Sequence, residues 1–390
     1  MTRRRRDWSL RLLPLLLAAA VLAGGAGGLF GLCGPFTDTA GDAFCPLVLE
    51  IFYLGITTGT TPATFDPAGN VSRLQMAAFL SRSVDSTLRR SSRRAALRQF
   101  WTTQGAVNLG ITTVGSGPAF LESDGGDIWV SNQTSGTVSR VRGTDGRVLE
   151  TWTGAIFPSG IRPAMGKIFV TAHNNPGKLY RIDPSQAAGA MTTVASNLGD
   201  VPDGITFDGG RLWTANQGGG GGSVSIVTPG ATIPWTVTTV TAGFVTPTGI
   251  LYDGSNVWVA DPGANNFLLK LNAGGAVLQT VTVGLSPQYP VFDGTNIWTA
   301  NFGDNSVSVV RPSSGSVLAT LTANGLFEPN AAAFDGQRIF VNGFGSVALW
   351  KAADLSLIGV FSTSVIQFSV PCSDGVNFWF ASGPSQIARY

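Results

Sequence analysis

Histidine is nearly missing from this sequence: His173 is the one imidazole in 390 residues. That excludes a two-histidine metal site within one chain and disfavours most catalytic zinc chemistry, which uses several imidazoles. Charge is scarce too, at 12% of residues against about a quarter in an average chain. What charge there is divides unevenly. Residues 1–102 carry 12 Arg and 6 acids, whereas residues 103–390 carry 13 basic and 17 acidic side chains. A large, mildly acidic C-terminal part gives no electrostatic footprint for nucleic acid. Past residue 32 no run is long and apolar enough to span a bilayer. Cysteine occurs three times.

Glycine, by contrast, is abundant: 51 residues, about 13% against a usual ~7%. It has no collagen-like triplet period, and a hydrophobic content of 44% excludes a disordered chain. So much glycine beside Val, Thr and Trp means many short strands joined by tight turns.

The N-terminus reads as an export signal. Arg3 to Arg6 and Arg11 form a basic region, Leu12 to Leu22 an apolar one, and Val21-Leu22-Ala23 offers a cleavage site. Residues 1–26 are assigned to this signal peptide; the alternative is a retained anchor, since apolar character persists loosely to Leu32. The remainder is then an exported protein of the cell envelope, cell surface or periplasm. An oxidising compartment would permit a disulfide between Cys33 and Cys45, leaving Cys372 as a small buried hydrophobe.

Residues 33–85 form a small helical module. Cys45 to Leu54 is almost continuously apolar and stops at Gly55; Ser72 then stands three residues before Gln75, the spacing of a capping box. Met76, Ala77, Phe79 and Leu80 supply the apolar face of the helix that follows. Phe36-Thr37-Asp38, Leu54-Gly55-Ile56 with Gly59, Phe65-Asp66-Pro67 and Val71-Ser72-Arg73-Leu74-Gln75-Met76 resemble one S-layer homology module. The resemblance implies attachment to a cell-wall polysaccharide or peptidoglycan-linked glycan. Arg73 and Gln75 fall on the family's glycan-binding Thr-Arg-Ala-Glu motif, which here keeps the Arg and loses the carboxylate. A guanidinium suits an anionic sugar, because it presents a planar pair of donors. The family usually carries three tandem modules and this chain has one, so either copies associate as a homo-oligomer, a trimer through the module, or the module packs elsewhere and no longer binds glycan. Residues 86–104 form a basic linker with Arg89, Arg90, Arg93, Arg94 and Arg98 and no acid.

From residue 105 to the end the sequence repeats. An aromatic residue recurs at Trp129, Phe169, Trp213, Trp258, Trp298, Phe340 and Trp379, at intervals of 39 to 45 residues. Eleven residues before it stands Pro118, Pro158, Pro202, Pro247, Pro287 or Pro329, and in the last unit Phe368. Six units place Asp-Gly between the two, from Asp124-Gly125 to Asp374-Gly375, a pair that favours tight hairpins. Asn132, Asn216 and Asn301 are expected to close the next turn through bonds to backbone. Each unit holds four short strands, the size of a propeller blade. The last has room for three, and the segment from Val107 to Val114 supplies the fourth. The expected fold is mainly β, a seven-bladed β-propeller at 105–390 closed by its N-terminal strand. The units resemble YVTN-type repeats and the virginiamycin B lyase family.

The aromatics are expected to wedge between blades. Candidate ligand-binding residues lie just after each proline, near the mouth of the channel: Ser159, Asp203, Thr248, Gln288 and Asn330, with Tyr289 one residue further. This polar, mostly uncharged ring suits a sugar or protein ligand. No catalytic residue, metal site or cofactor is assigned, although calcium through Asp203 and nearby carbonyls is chemically allowed. The expected role is a non-catalytic binding or display scaffold; the alternative is a lyase- or lactonase-like enzyme acting on an extracellular small molecule.

Overall fold

The structure is a computed structural model that describes residues 36–39, 45–53, 56–89, 110–218, 221–363 and 368–390. The signal segment 1–26, Cys33 and linker residues 90–104 lie outside the described residues. The chain divides into two compact units, Met1–Arg98 and Gln99–Tyr390.

In the first unit, helix α1 spans Cys45–Tyr53 and helix α2 spans Arg73–Arg89. The capping box forms: the Gln75 N–H donates to Ser72 Oγ at 3.2 Å, and the Ser72 N–H donates to Gln75 Oε1 at 2.8 Å. A small core gathers around Phe36, with Val48, Cys45, Phe52 and Phe65. Asp38 fastens the loop, accepting from the Phe65 and Asp66 N–H groups, which hold its carboxyl below the ordinary value. Cys45 is disulfide-bonded. The expected apolar face of α2 is largely uncovered: Leu80 is 60% exposed, Met76 and Ala77 are exposed as well, and Phe79 is half-buried. A module this small has too little core to cover a second helix face.

The second unit contains seven four-stranded antiparallel sheets among the described residues. Their innermost strands begin the blades at Pro118–Ser123, Pro158–Ala164, Pro202–Phe207, Ile250–Tyr252, Val291–Phe292, Ala331–Phe334 and Cys372–Ser373. The strand Gly110–Thr113 pairs with Gln386–Arg389, placing Ile111 opposite Ala388, and so completes the seventh blade. Thus no described outer edge of that blade is left short, and the two ends of the propeller are stitched together.

Each repeat aromatic packs between its own blade and the next. Trp129 lies among Ile161, Val170 and Tyr180, and Trp379 among Val130 and Val141. A buried indole must still find a partner for its N–H. Five times it donates to the aspartate of the Asp-Gly turn, at 2.7 to 2.9 Å: Trp129 to Asp124, Trp213 to Asp208, Trp258 to Asp253, Trp298 to Asp293 and Trp379 to Asp374. In blade 6 the aromatic is Phe340, which has no N–H, and Asp335 instead pairs with buried Arg338 at 2.7 Å. In blade 2 the aromatic is Phe169 and the equivalent position is Ala164. Asn132, Asn216 and Asn301 differ from expectation. Their side-chain N–H groups donate to serine or threonine hydroxyls on the facing strand, such as Ser306 and Ser308 for Asn301.

Candidate functional site

The residue two beyond each proline decides how the channel is filled. Blades 2, 3 and 4 have Gly160, Gly204 and Gly249, while blades 1 and 5 have Phe120 and Tyr289. The glycines let neighbouring innermost strands approach so closely that a Cβ on Gly204 would lie 2.6 Å from the Thr248 carbonyl oxygen. The two rings occupy the middle of the channel, meeting edge to face with centroids 5.2 Å apart.

Tyr289 reaches from blade 5 to blade 3, where its hydroxyl donates to Asp203 Oδ2. The same carboxylate accepts from Ser159 Oγ at 2.9 Å and from Gln217 Nε2 at 2.8 Å. Asp203 is 5% exposed. Burial pushes its carboxyl up, opposed by Tyr289, His173, Ser159 and Gln217. Burial and the Asp203 charge together push the Tyr289 hydroxyl well above its usual range, which keeps it a proton donor in this bond. His173, on the turn after Lys167–Ala172, contacts Gln133 through Nδ1 at 3.3 Å, while its buried Nε2 has no hydrogen-bond partner.

Three of the six candidate channel residues, Ser159, Asp203 and Tyr289, are therefore joined in one network. The other three lie outside it, Thr248 and Gln288 bonding within their own blades and Asn330 to the next blade. Thr248 donates to the Ala260 carbonyl, Gln288 to Ser286, and Asn330 to the Ser369 carbonyl. Of the six, Ser159, Asp203, Thr248 and Asn330 are buried, and Gln288 and Tyr289 are half-buried. Both oxygens of Asp203, the residue considered for calcium, accept from protein donors. Among the described residues no group of three or more His, Cys, Asp or Glu side chains is placed to hold a metal. Sequence reasoning did not place Gln133, His173 and Gln217 here. All three stand four residues after the repeat aromatic, and that register would have found them.

On the N-terminal unit, Arg73 is exposed at the start of α2, whereas Gln75 Oε1 is engaged in the capping box. Residues 35–77 match the S-layer homology domain. The module is an S-layer homology domain. It marks a chain held at the cell surface as part of the envelope, and among the described residues no helix is long and apolar enough to cross a membrane.

The propeller is similar to solved structures at low identity. Virginiamycin B lyase from Staphylococcus aureus is 16% identical with a TM-score of 0.60, covering 72% of this chain and 98% of that one. A streptogramin B lyase structure is 14% identical with a TM-score of 0.59, covering 74% and 99%. The WD40 β-propeller domain of Doa1 is 13% identical with a TM-score of 0.58, covering 72% and 96%. At these identities the likeness establishes a shared fold. A search of curated proteins found no match.

Proposed function

We propose that this exported chain binds a cell-wall glycan through its S-layer homology domain and holds the propeller at the wall as a non-catalytic binding scaffold. The match over residues 35–77 carries the reading, because such domains generally bind cell-wall polymers. Arg73 supplies an exposed guanidinium suited to an anionic sugar. The non-catalytic part draws support from the channel: Ser159 and Tyr289 both spend their hydroxyls on Asp203, and Asp203 and Ser159 are buried. The exposed Met76 and Leu80, one turn apart on α2, leave an apolar patch through which copies of the module would associate.

Sedimentation of the purified chain with isolated cell-wall sacculi tests the anchor. The intact chain is expected in the pellet, a variant lacking residues 33–85 in the supernatant, and Arg73→Ala in between. Equal retention after the deletion would overturn the reading. Analytical ultracentrifugation tests self-association, and a strict monomer with a folded module would remove it.

A further inference from the structure

The channel of the propeller is not filled along its whole length. Beyond the Phe120–Tyr289 layer, on the side of the Asp-Gly turns, lies a cavity of about 290 Å³ to which all seven blades contribute. Its wall changes character around the ring. Blades 1 and 2 contribute Glu122 and Arg162, the only charged residues in the described lining, flanked by Thr206 from blade 3 and Ser373 from blade 7. Blades 4, 5 and 6, on the far side of the ring, contribute Tyr252, Phe292 and Phe334.

Arg162 Nη1 stands 3.6 Å from Glu122 Oε2, with the two side chains 37% and 32% accessible. That surface looks into the cavity. The contact is loose and uses one of the five donors of the guanidinium; no other partner for it is found among the described residues. Burial pushes the Glu122 carboxyl above its ordinary value, against the pull of Arg162. A purely apolar occupant would strip water from this pair without replacing its hydrogen bonds, which is unfavourable. A multiply charged anion would meet Glu122. The volume sits at the small end of ligand cavities, roughly 300–1,000 Å³, which leaves room for one ring. A pyranose has the matching two sides: a hydroxyl edge for the charged pair and a C–H face for the aromatics.

We propose that this cavity binds a single pyranose-sized sugar residue, with its hydroxyl edge on Arg162 and Glu122 and its C–H face towards Tyr252, Phe292 and Phe334. The proposal rests on the reading of the propeller as a binding scaffold and supplies its ligand class. Ligand-observed NMR of the purified full chain with glucose, N-acetylglucosamine and glucuronate, each titrated separately, provides the test. Saturable binding of at least one sugar is expected. It should weaken about tenfold or more in Arg162→Met and in Phe292→Ala, and remain unchanged in Leu285→Ser, an exposed residue outside the cavity lining. Glu122→Gln gives a second polar variant in case Phe292→Ala melts early. Binding of none of the three sugars, or binding that Arg162→Met and Glu122→Gln both retain, overturns the proposal. Its failure is separable from failure of the parent reading. A sugar-blind chain that still pellets with sacculi removes the cavity site alone. Sugar converted to product in the NMR tube removes the non-catalytic role and leaves the site standing.

Discussion

In five blades one aspartate divides its two oxygens between unrelated donors. Oδ1 of Asp293 accepts the backbone N–H groups of Thr295 and Asn296 in the turn, and Oδ2 accepts the Trp298 indole at 2.7 Å. Asp293→Asn retains the turn acceptor but turns an N–H towards the indole, leaving it unpartnered; a cost of about 1–3 kcal/mol is expected. Asp293→Ala should cost more, and Asp293→Asn combined with Trp298→Phe should cost less than the sum of the two single changes, because both remove the same bond. Denaturant unfolding of the double-mutant cycle measures this. Elsewhere a surface pair sets a titration. Asp183 is held down to about 2, chiefly by the hydrogen bond from Lys167, with Ser185 adding to it. A depressed carboxyl stabilises the fold above its unfolded value and loses that contribution as pH falls towards 2. Lys167→Met is expected to move the Asp183 midpoint up towards the ordinary ~3.9, read by carboxyl NMR.

At the level of strands, blade-to-blade approach is set by the residue two beyond the proline. Gly204→Ala would push a Cβ to 2.6 Å from the Thr248 carbonyl and 3.1 Å from the Ile250 nitrogen, both backbone atoms that cannot rotate away. Overpacking of this kind costs about 1–3 kcal/mol. Thermal unfolding should show the loss, while Gly210→Ala, whose Cβ would come no closer than 3.8 Å to Asp208, stays near the parent. The turns leading into the prolines carry backbone strain. Phe157, Val201, Ser286 and Glu328, each preceding a proline, lie at φ between 44° and 57°, a region a β-branched or bulky residue enters only when its surroundings force it. Side chains of the preceding blade help to hold two of them: Asn266 accepts the Ser286 N–H, and Asn305 accepts the Glu328 N–H, both at 2.7 Å.

For the molecule as a whole, two compact units with separate cores imply two unfolding events. Differential scanning calorimetry should resolve a small transition for the N-terminal unit and a larger one for the propeller. Reductant should lower only the first, because the disulfide of Cys45 belongs to that unit and a disulfide typically contributes about 2–4 kcal/mol. Cys372, the free thiol of the propeller, is buried, and burial with the nearby Glu122 and Asp374 charges pushes it well above its usual range. It should therefore resist alkylation until the second transition. A single event that reductant shifts as a whole would show the two units to be coupled.

The number of blades, their boundaries and the aromatic wedges were legible because a repeat writes nearly the same local demand in every unit: a proline before the first strand in six, Asp-Gly to turn it in six, an aromatic to fill the gap in all seven. The S-layer homology domain and its capping box were legible for a related reason, since both are patterns of neighbours along the chain. What the repeat pattern conceals is how departures from it combine. Phe120, Tyr289 and the three glycines occupy one register position, and alignment alone records them as variation. Closing the ring decides that Tyr289 meets Asp203, 86 residues away. The same closure puts the charged wall of blades 1 and 2 opposite the aromatic wall of blades 4 to 6. Contacts along a strand follow from spacing, whereas contacts across a channel depend on its curvature and width, which only the assembled sheets define.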